Sequence, residues 1–527
     1  MSRTRTLAAL AGVIVAALLL VSGRSGSDPE TPAGLPGMPP PFLGVAVLGD
    51  GGLTAAVDAY GDVVDLRPEP AGPALIQNPA ERQAAETVEG DTGIQPWVRV
   101  GGEEVPIWRA DEVRQRYLSR TGVLRTEARF GADWIRILAA VEGQSLAIVP
   151  IGPNASRVRL RMHGGGNVVS TLFLVVARRR VETMQARASD SAALIARTGA
   201  ADRRWLARAR PLGAGAPPWA RRMYQRSLLV LRALTDRETG AVAAGARDDW
   251  AYVWPRDASA AAIAYAAAGY RPEAVRATRF LLSLGLEQAA RFHGDGSPVA
   301  GRAAQGDAIG WVAAASQAAG IVGSARQAAH ILGGGPIPWR DRADYWEGDP
   351  GEYLANALAS SADVSELEGP YDPTSSDTPP RGVVRRLGDP GSGLDSAAAW
   401  GVRPFPHPDL YPAIRRSMET LLAQGTRFGI TPGEEWPGGD DPWSAPTAWT
   451  AWSLAALGER REALEMMRAL RRAATPAGDL PERVDAETGI PRSTTPLAWS
   501  HAFAILTLQE LWPNRTASTS TPSRSRN

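Results

Sequence analysis

The chain has 527 residues, so roughly two to four domains are expected, and 44% hydrophobic content suits a globular protein. A net charge of +1 supplies no basic field for nucleic acid. All 57 basic residues are Arg and there is no Cys. Lysine Schiff-base and Walker-type chemistry, thiol nucleophiles, thiolate metal sites and disulfides are therefore excluded.

Arg3 and Arg5 precede an apolar run from Leu7 to Val21, and Arg24 follows it. This pattern reads as a signal peptide or signal anchor over 1–24, which places the body outside the cytoplasm, secreted or anchored to a membrane. Residues 25–41 are rich in Gly and Pro and read as a flexible linker. Short apolar runs with turn residues between them then predict a β-sandwich over 42–188. The runs include LTAAVDAYGDVVDL, WIRILAAVEG, SLAIVPIG, VRLRMHGGG and STLFLVVARRR. Gly-Asp-Gly-Gly at 49–52 and Tyr-Gly-Asp at 60–62 read as hairpin turns.

Beyond a linker helix at 189–215, apolar residues recur at three and four through to about 513. Two helix joints resemble each other, AAGYRPEAVRATRFL (267–281) and ALGERREALEMMRAL (456–470), each with a Gly stopping one helix. Repeated helix pairs imply an α-solenoid or a closed toroid. Long loops carrying Trp and acidic residues favour the closed form, an all-α (α/α)6 barrel over 216–513. The Ser/Thr/Arg-rich tail at 514–527 reads as disordered.

The five His residues lie far apart, and no GxSxG or GxxxxGK[ST] motif is present, which leaves carboxylates for catalysis. Three segments set carboxylates beside aromatic residues: YVWPRDA (252–258), DYWE (344–347) and PERVD with TPLAWSHA (481–502). Aromatic faces stack on pyranose rings, and their exclusion of water keeps a carboxylic acid protonated. Acid/base cleavage of a sugar is the chemistry that unites the three. Inversion would need two carboxyl groups about 6.5–9.5 Å apart, one donating to the glycosidic oxygen and one activating water.

Each segment has a plainer reading too. Arg256-Asp257 suits a buried ion pair at a helix start, Glu347 a surface loop, and Glu482 a loop cap. Trp449 and Trp452, at helical spacing, read as core, whereas Trp436 and Trp443 read as nearer the mouth. His501 reads as a hydrogen-bonded core residue.

In domain order and motif order, residues 42–513 resemble the glucoamylase-type glycosidases of family 15, which include glucodextranases and trehalase-like members. The resemblance implies that Arg256 and Asp257 clamp a terminal glucose beside Trp254. It implies Glu347 as general acid, flanked by Tyr345 and Trp346, and Glu482 as general base, with Trp499 lining the sugar site. QGDAIGW (305–311) resembles a structural motif in which Gln305 and Asp307 fix a helix start. Gly348 and Asp349 follow Glu347 where fungal members carry a second Glu, and Glu352, Glu366 and Glu368 are rival positions for the acid. The implied activity is exo-acting release of glucose from α-glucosides, without metal or other cofactor. The substrate is an oligo- or polysaccharide, with no nucleic-acid partner. A different linkage (dextran or trehalose) and an inactive glycan-binding protein are the alternatives.

Overall fold

The computed structural model describes residues 46–77, 93–162, 168–169, 172–177, 180–184, 188–321, 339–360 and 382–514. The expected signal segment, the linker and Glu366 and Glu368 lie outside the described residues. No helix among the described residues is long and apolar enough to cross a membrane.

Two antiparallel sheets come first, followed by helices. One sheet joins β1 (Ala46–Gly49), β2 (Thr54–Val57), β3 (Val63–Arg67), β5 (Ile94–Val100), β11 (Val158–Met162) and β12 (Val168–Val169) in that order. The short strands β4 (Ile76–Gln77) and β6 (Glu103–Pro106) flank it. The other sheet runs β14 (Arg180–Met184), β13 (Leu172–Ala177), β10 (Ser145–Ile151), β9 (Asp133–Glu142), β8 (Leu124–Phe130) and β7 (Glu112–Tyr117). The alternation in β9 turns Ile135, Ile137 and Ala139 inward against Leu48, Val63 and Val98 of the first sheet. Gly51 and Gly61 take left-handed φ of 91° and 89°, which is why the β1–β2 and β2–β3 turns carry glycine there.

Helix α1 (Ala188–Leu206) lays Leu194 and Ile195 over Ala140, Ala147 and Val149, on the side of the second sheet away from the first. Then come α2 (Pro218–Leu234), α3 (Pro255–Ala267), α4 (Arg271–Leu282), α5 (Ala308–Ala318) and α6 (Leu354–Ser360). After a hairpin of β15 (Val384–Arg386) and β16 (Asp389–Leu394) and a 3-10 segment (Ser396–Gly401) come α7 (Tyr411–Gln424), α8 (Ser444–Ala456), α9 (Arg460–Ala473) and α10 (Ala498–Leu511).

Helices α3, α8 and α10 are buried nearly all round, with small and apolar residues on every side. Helices α4 and α9 are amphipathic, burying one stripe each. A helix that is apolar all round must sit inside, and its one-sided partner outside. Two inner helices, α3 and α8, are tied to their outer partners α4 and α9 by the joints read from the sequence, where Gly269 and Gly458 stop them with φ of 88° and 86°. Contacts among the inner segments pass from α3 to α5, α6, the 3-10 segment, α8, α10 and back to α3.

The first sheet rests on the helical part. Arg237 N donates to Gly51 O at 2.9 Å, and Gly294 N to Ala71 O at 2.9 Å. From the end of β7, Tyr117 donates to Val47 O at 2.8 Å and Asp479 Oδ2 at 3.0 Å. The guanidinium of Arg226 lies 3.7 Å over its ring.

Candidate active site

Four loops at the starts of inner helices supply the site. Pro255 opens α3, since its fixed φ suits a first helical turn and its missing N–H costs nothing there. Arg256 and Asp257 follow in that turn, both buried. Arg256 Nη1 donates to Gln305 Oε1 at 2.8 Å and to Asp307 Oδ2 at 2.9 Å, and the guanidinium lies 4.8 Å over the Trp499 ring. Burial opposes its charge, but Asp307 and Asp257 outweigh that and hold it above the usual range. Burial pushes Asp257 up to about 7, with Glu482 and Asp307 adding to the rise and Arg256 opposing it.

Asp307 stands at the start of α5, yet its side chain makes no capping bond there. It accepts from Arg256 instead, so Gln305 and Asp307 of QGD hold the Arg256 guanidinium rather than fixing the helix start expected for them. Gln305 bridges Arg256 and Glu347, because its Nε2 also donates to Glu347 Oε1 at 3.3 Å.

Glu347 ends a tight turn in which its N–H donates to Asp344 O at 3.0 Å. Its φ of 60° is a left-handed value for a non-glycine residue, an outlier of the kind that collects at functional sites. The turn is braced from below. Arg385 forks onto the buried Asp344 at 2.9 and 3.0 Å, Trp346 N donates to the same carboxylate at 3.1 Å, and the Arg385 guanidinium covers the Trp346 ring at 3.8 Å. Glu347 Oε1 also accepts from Trp254 Nε1 at 3.1 Å, while Oε2 is ion-paired with Arg302. The rival Glu352 is an exposed partner of Arg340.

Glu482 lies on the loop before α10. Its N–H donates to Thr494 O and its carbonyl accepts from Ser444 N, both at 2.9 Å, which locks it between α8 and α10. Oε1 accepts from Trp250 Nε1 at 3.2 Å, and Oε2 accepts from the Ser493 hydroxyl. Trp250 and Trp254, one helical turn apart in sequence, thus grip the two carboxylates by their indole N–H groups.

The other expected residues divide. Trp499 underlies Arg256 and is buried. Tyr345 is buried with its hydroxyl on Asp395 Oδ1 at 2.6 Å, so it supports the turn from within. Trp346 is half-buried with one face under Arg385, and it heads an edge-to-face row through Trp436 to Trp443 at 5.0 Å per step. Trp449 and Trp452 are core, as their spacing predicts. His501 is buried, with Nε2 accepting from Leu480 N at 2.9 Å and Nδ1 at 2.9 Å from Ser227 Oγ, and burial pushes it well below the usual imidazole range.

Trp250, Ser493, Arg302 and Arg385 are the residues that reading the sequence did not single out. Among the described residues no group of three or more His, Asp or Glu side chains is arranged to hold a metal ion.

With this geometry in place, the chain superposes on a bacterial glucoamylase solved with acarbose at a TM-score of 0.65 and 12% identity. The match spans 93% of this chain and 96% of that one. The fold is that of bacterial glucoamylase. A glucoamylase from Saccharomycopsis fibuligera matches 56% of this chain and 94% of its own at 14% identity and a TM-score of 0.45. A wild-type glycosidase matches 56% and 99% at 19% identity and a TM-score of 0.45. No protein-family model matches the sequence, and no curated protein does.

Proposed function

We infer that the protein is an inverting, exo-acting glycoside hydrolase that releases glucose from the non-reducing ends of α-glucosides. The inner ring of segments is read as the closed (α/α)6 toroid, whose mouth carries the site. The observation that carries the reading is the pair of carboxylates, Glu347 and Glu482, held by Trp254 and Trp250 and tied to the buried Arg256-Asp257 pair through Gln305 and the charge of Glu482 on Asp257. The superposed bacterial glucoamylase, solved with acarbose, supports it.

In this reading Glu347 donates its proton to the glycosidic oxygen as the bond breaks. Glu482 takes a proton from the water attacking the opposite face, and each transfer is worth about 10²–10⁴ in rate. Arg256 and Asp257 hold the terminal sugar at the closed end of the site, so only chain ends enter. The Gln305 bridge ties the clamp to the acid, so a seated sugar and a placed proton donor come together. The apolar run near the N-terminus fits export.

Glucose release from maltose, isomaltose, maltoheptaose, dextran and trehalose tests this. Release of glucose alone from one linkage class is expected. Internal cleavage, seen as a rapid fall in chain length without glucose, would overturn the exo assignment.

A further inference from the structure

The acid carboxylate is paired with a cation, which is the wrong company for a proton donor. Arg302 lies on the loop leading to Gln305, and its guanidinium contacts Glu347 Oε2. An adjacent guanidinium favours the ionised carboxylate, the form that cannot donate. Arg302 must therefore leave Glu347, at least in part, before the leaving oxygen is protonated.

Its surroundings show what would draw it away. Arg291 stands beside it, and both guanidiniums lie over the Trp254 ring, at 5.5 and 5.9 Å. Arg291 is about nine-tenths buried, yet its Nε has no hydrogen-bond partner. Among the described residues the carboxylate it faces is the exposed Asp249, 4.0 Å away, whose backbone carbonyl also accepts from Arg291 Nη1 at 3.2 Å. Burial and then the charge of Arg291 hold the Arg302 group below the usual guanidinium range, with Asp249 and Glu482 opposing. The neighbouring arginines differ. Arg340, Arg342 and Arg385 each have a carboxylate outside the acid–base pair, in Glu352, Glu287 and Asp344. With Glu347 protonated and Glu482 still charged, as the reaction requires at its start, Arg302 has lost the carboxylate it contacts and shares Asp249 with Arg291. Beside the acid, two guanidiniums then stand against the one exposed carboxylate of Asp249.

The geometry points to an anionic leaving group: Arg302, backed by Arg291, is a specificity-determining residue that binds a carboxylate or phosphate on the sugar or polyol released together with glucose. Occupation of Arg302 by that anion frees Glu347 to carry the proton. With a side chain about 38% exposed, Arg302 is accessible from solvent, and its planar fork suits either anion. This assignment rests on the hydrolase reading above and narrows its substrate class.

The test compares neutral and anionic substrates of matched linkage. Maltose is set against maltobionate, isomaltose against its aldonate, and trehalose against trehalose 6-phosphate, with kcat/KM measured from released glucose. For the active linkage, wild-type protein is expected to favour the anionic member at least tenfold, and rising salt to shrink that ratio. Arg302→Gln should bring the ratio to about one, and Arg302→Lys should restore part of it. For an α-1,4 or α-1,6 preference, the disaccharide phosphorylated at O6 of its reducing-end glucose is run beside the aldonate and tells which anion is taken. Equal or better turnover of the neutral member, or a preference that survives in Arg302→Gln, overturns the assignment while leaving the hydrolase reading intact. No glucose from any substrate overturns both.

Discussion

Replacing Glu482 with Gln separates chemistry from architecture, because the surrounding bonds can survive the change. Trp250 Nε1 donates to Oε1, and an amide oxygen accepts that bond equally well. Ser493 now donates to Oε2, but its hydroxyl can rotate and accept from an amide N–H. The backbone anchors to Thr494 and Ser444 do not involve the side chain. Glu482→Gln should therefore fold and melt like the wild type. What it loses is the ability to take a proton from water, worth about 10²–10⁴ in kcat, or about 3–5 kcal/mol in the barrier. Initial rates of glucose release on the active substrate, with a thermal melt of the same preparation, measure both. A folded Glu482→Gln protein with kcat within threefold of wild type would refute the base assignment.

Three further outcomes follow from the same structure. Arg385→Met strips the fork from buried Asp344 and uncovers Trp346, so stability should fall by about 3 kcal/mol and kcat at least tenfold. Asp344→Asn in that background should recover part of the stability, and an unchanged kcat in the single variant would show that the brace does not position Glu347. Tyr117→Phe removes the hydroxyl that reaches Val47 O and buried Asp479, three residues before Glu482. A loss of about 1–3 kcal/mol is expected by chemical denaturation, and no loss would contradict it.

The third concerns pH. Burial raises Asp58, Asp257 and Asp395 to about 7 and Asp479 to about 6. The folded state then holds protons that the unfolded chain has lost above about pH 4, so this stability is present at low pH and lost as pH rises to about 7. His407 and His501, pushed down by burial, act in the opposite sense, but only below about pH 6.5. The melting temperature should therefore fall between about pH 6.5 and 8, and a rise over that span would contradict the assignment.

What the sequence discloses is local. YVWPRDA is contiguous because Pro255 fixes the helix start and the next two residues share its first turn, so the buried Arg256-Asp257 pair could be read from one segment. The helix pairs were legible from their joints, Gly269 and Gly458, whereas which helix of a pair is buried all round shows only in the fold. Strands β7 and β8 were missed, since their Glu and Arg alternation hides the inward Leu124, Thr126 and Ala128 behind salt bridges on the outer face. The residues that hold the carboxylates escaped for a different reason. Trp250 meets Glu482 across 232 positions and Arg385 meets Asp344 across 41, and only the closed fold brings them together. In a chain with 57 arginines, nothing in composition marks Arg302 or Arg385 as special.

The most direct test of the central claim is the anomeric form of glucose at the moment of release, followed by proton NMR before mutarotation mixes the anomers. Two carboxylates working on opposite faces of the sugar predict β-glucose from the α-linked substrate. Release of α-glucose would mean that Glu482 or Glu347 forms a covalent intermediate, and would contradict the water-activating role assigned to Glu482.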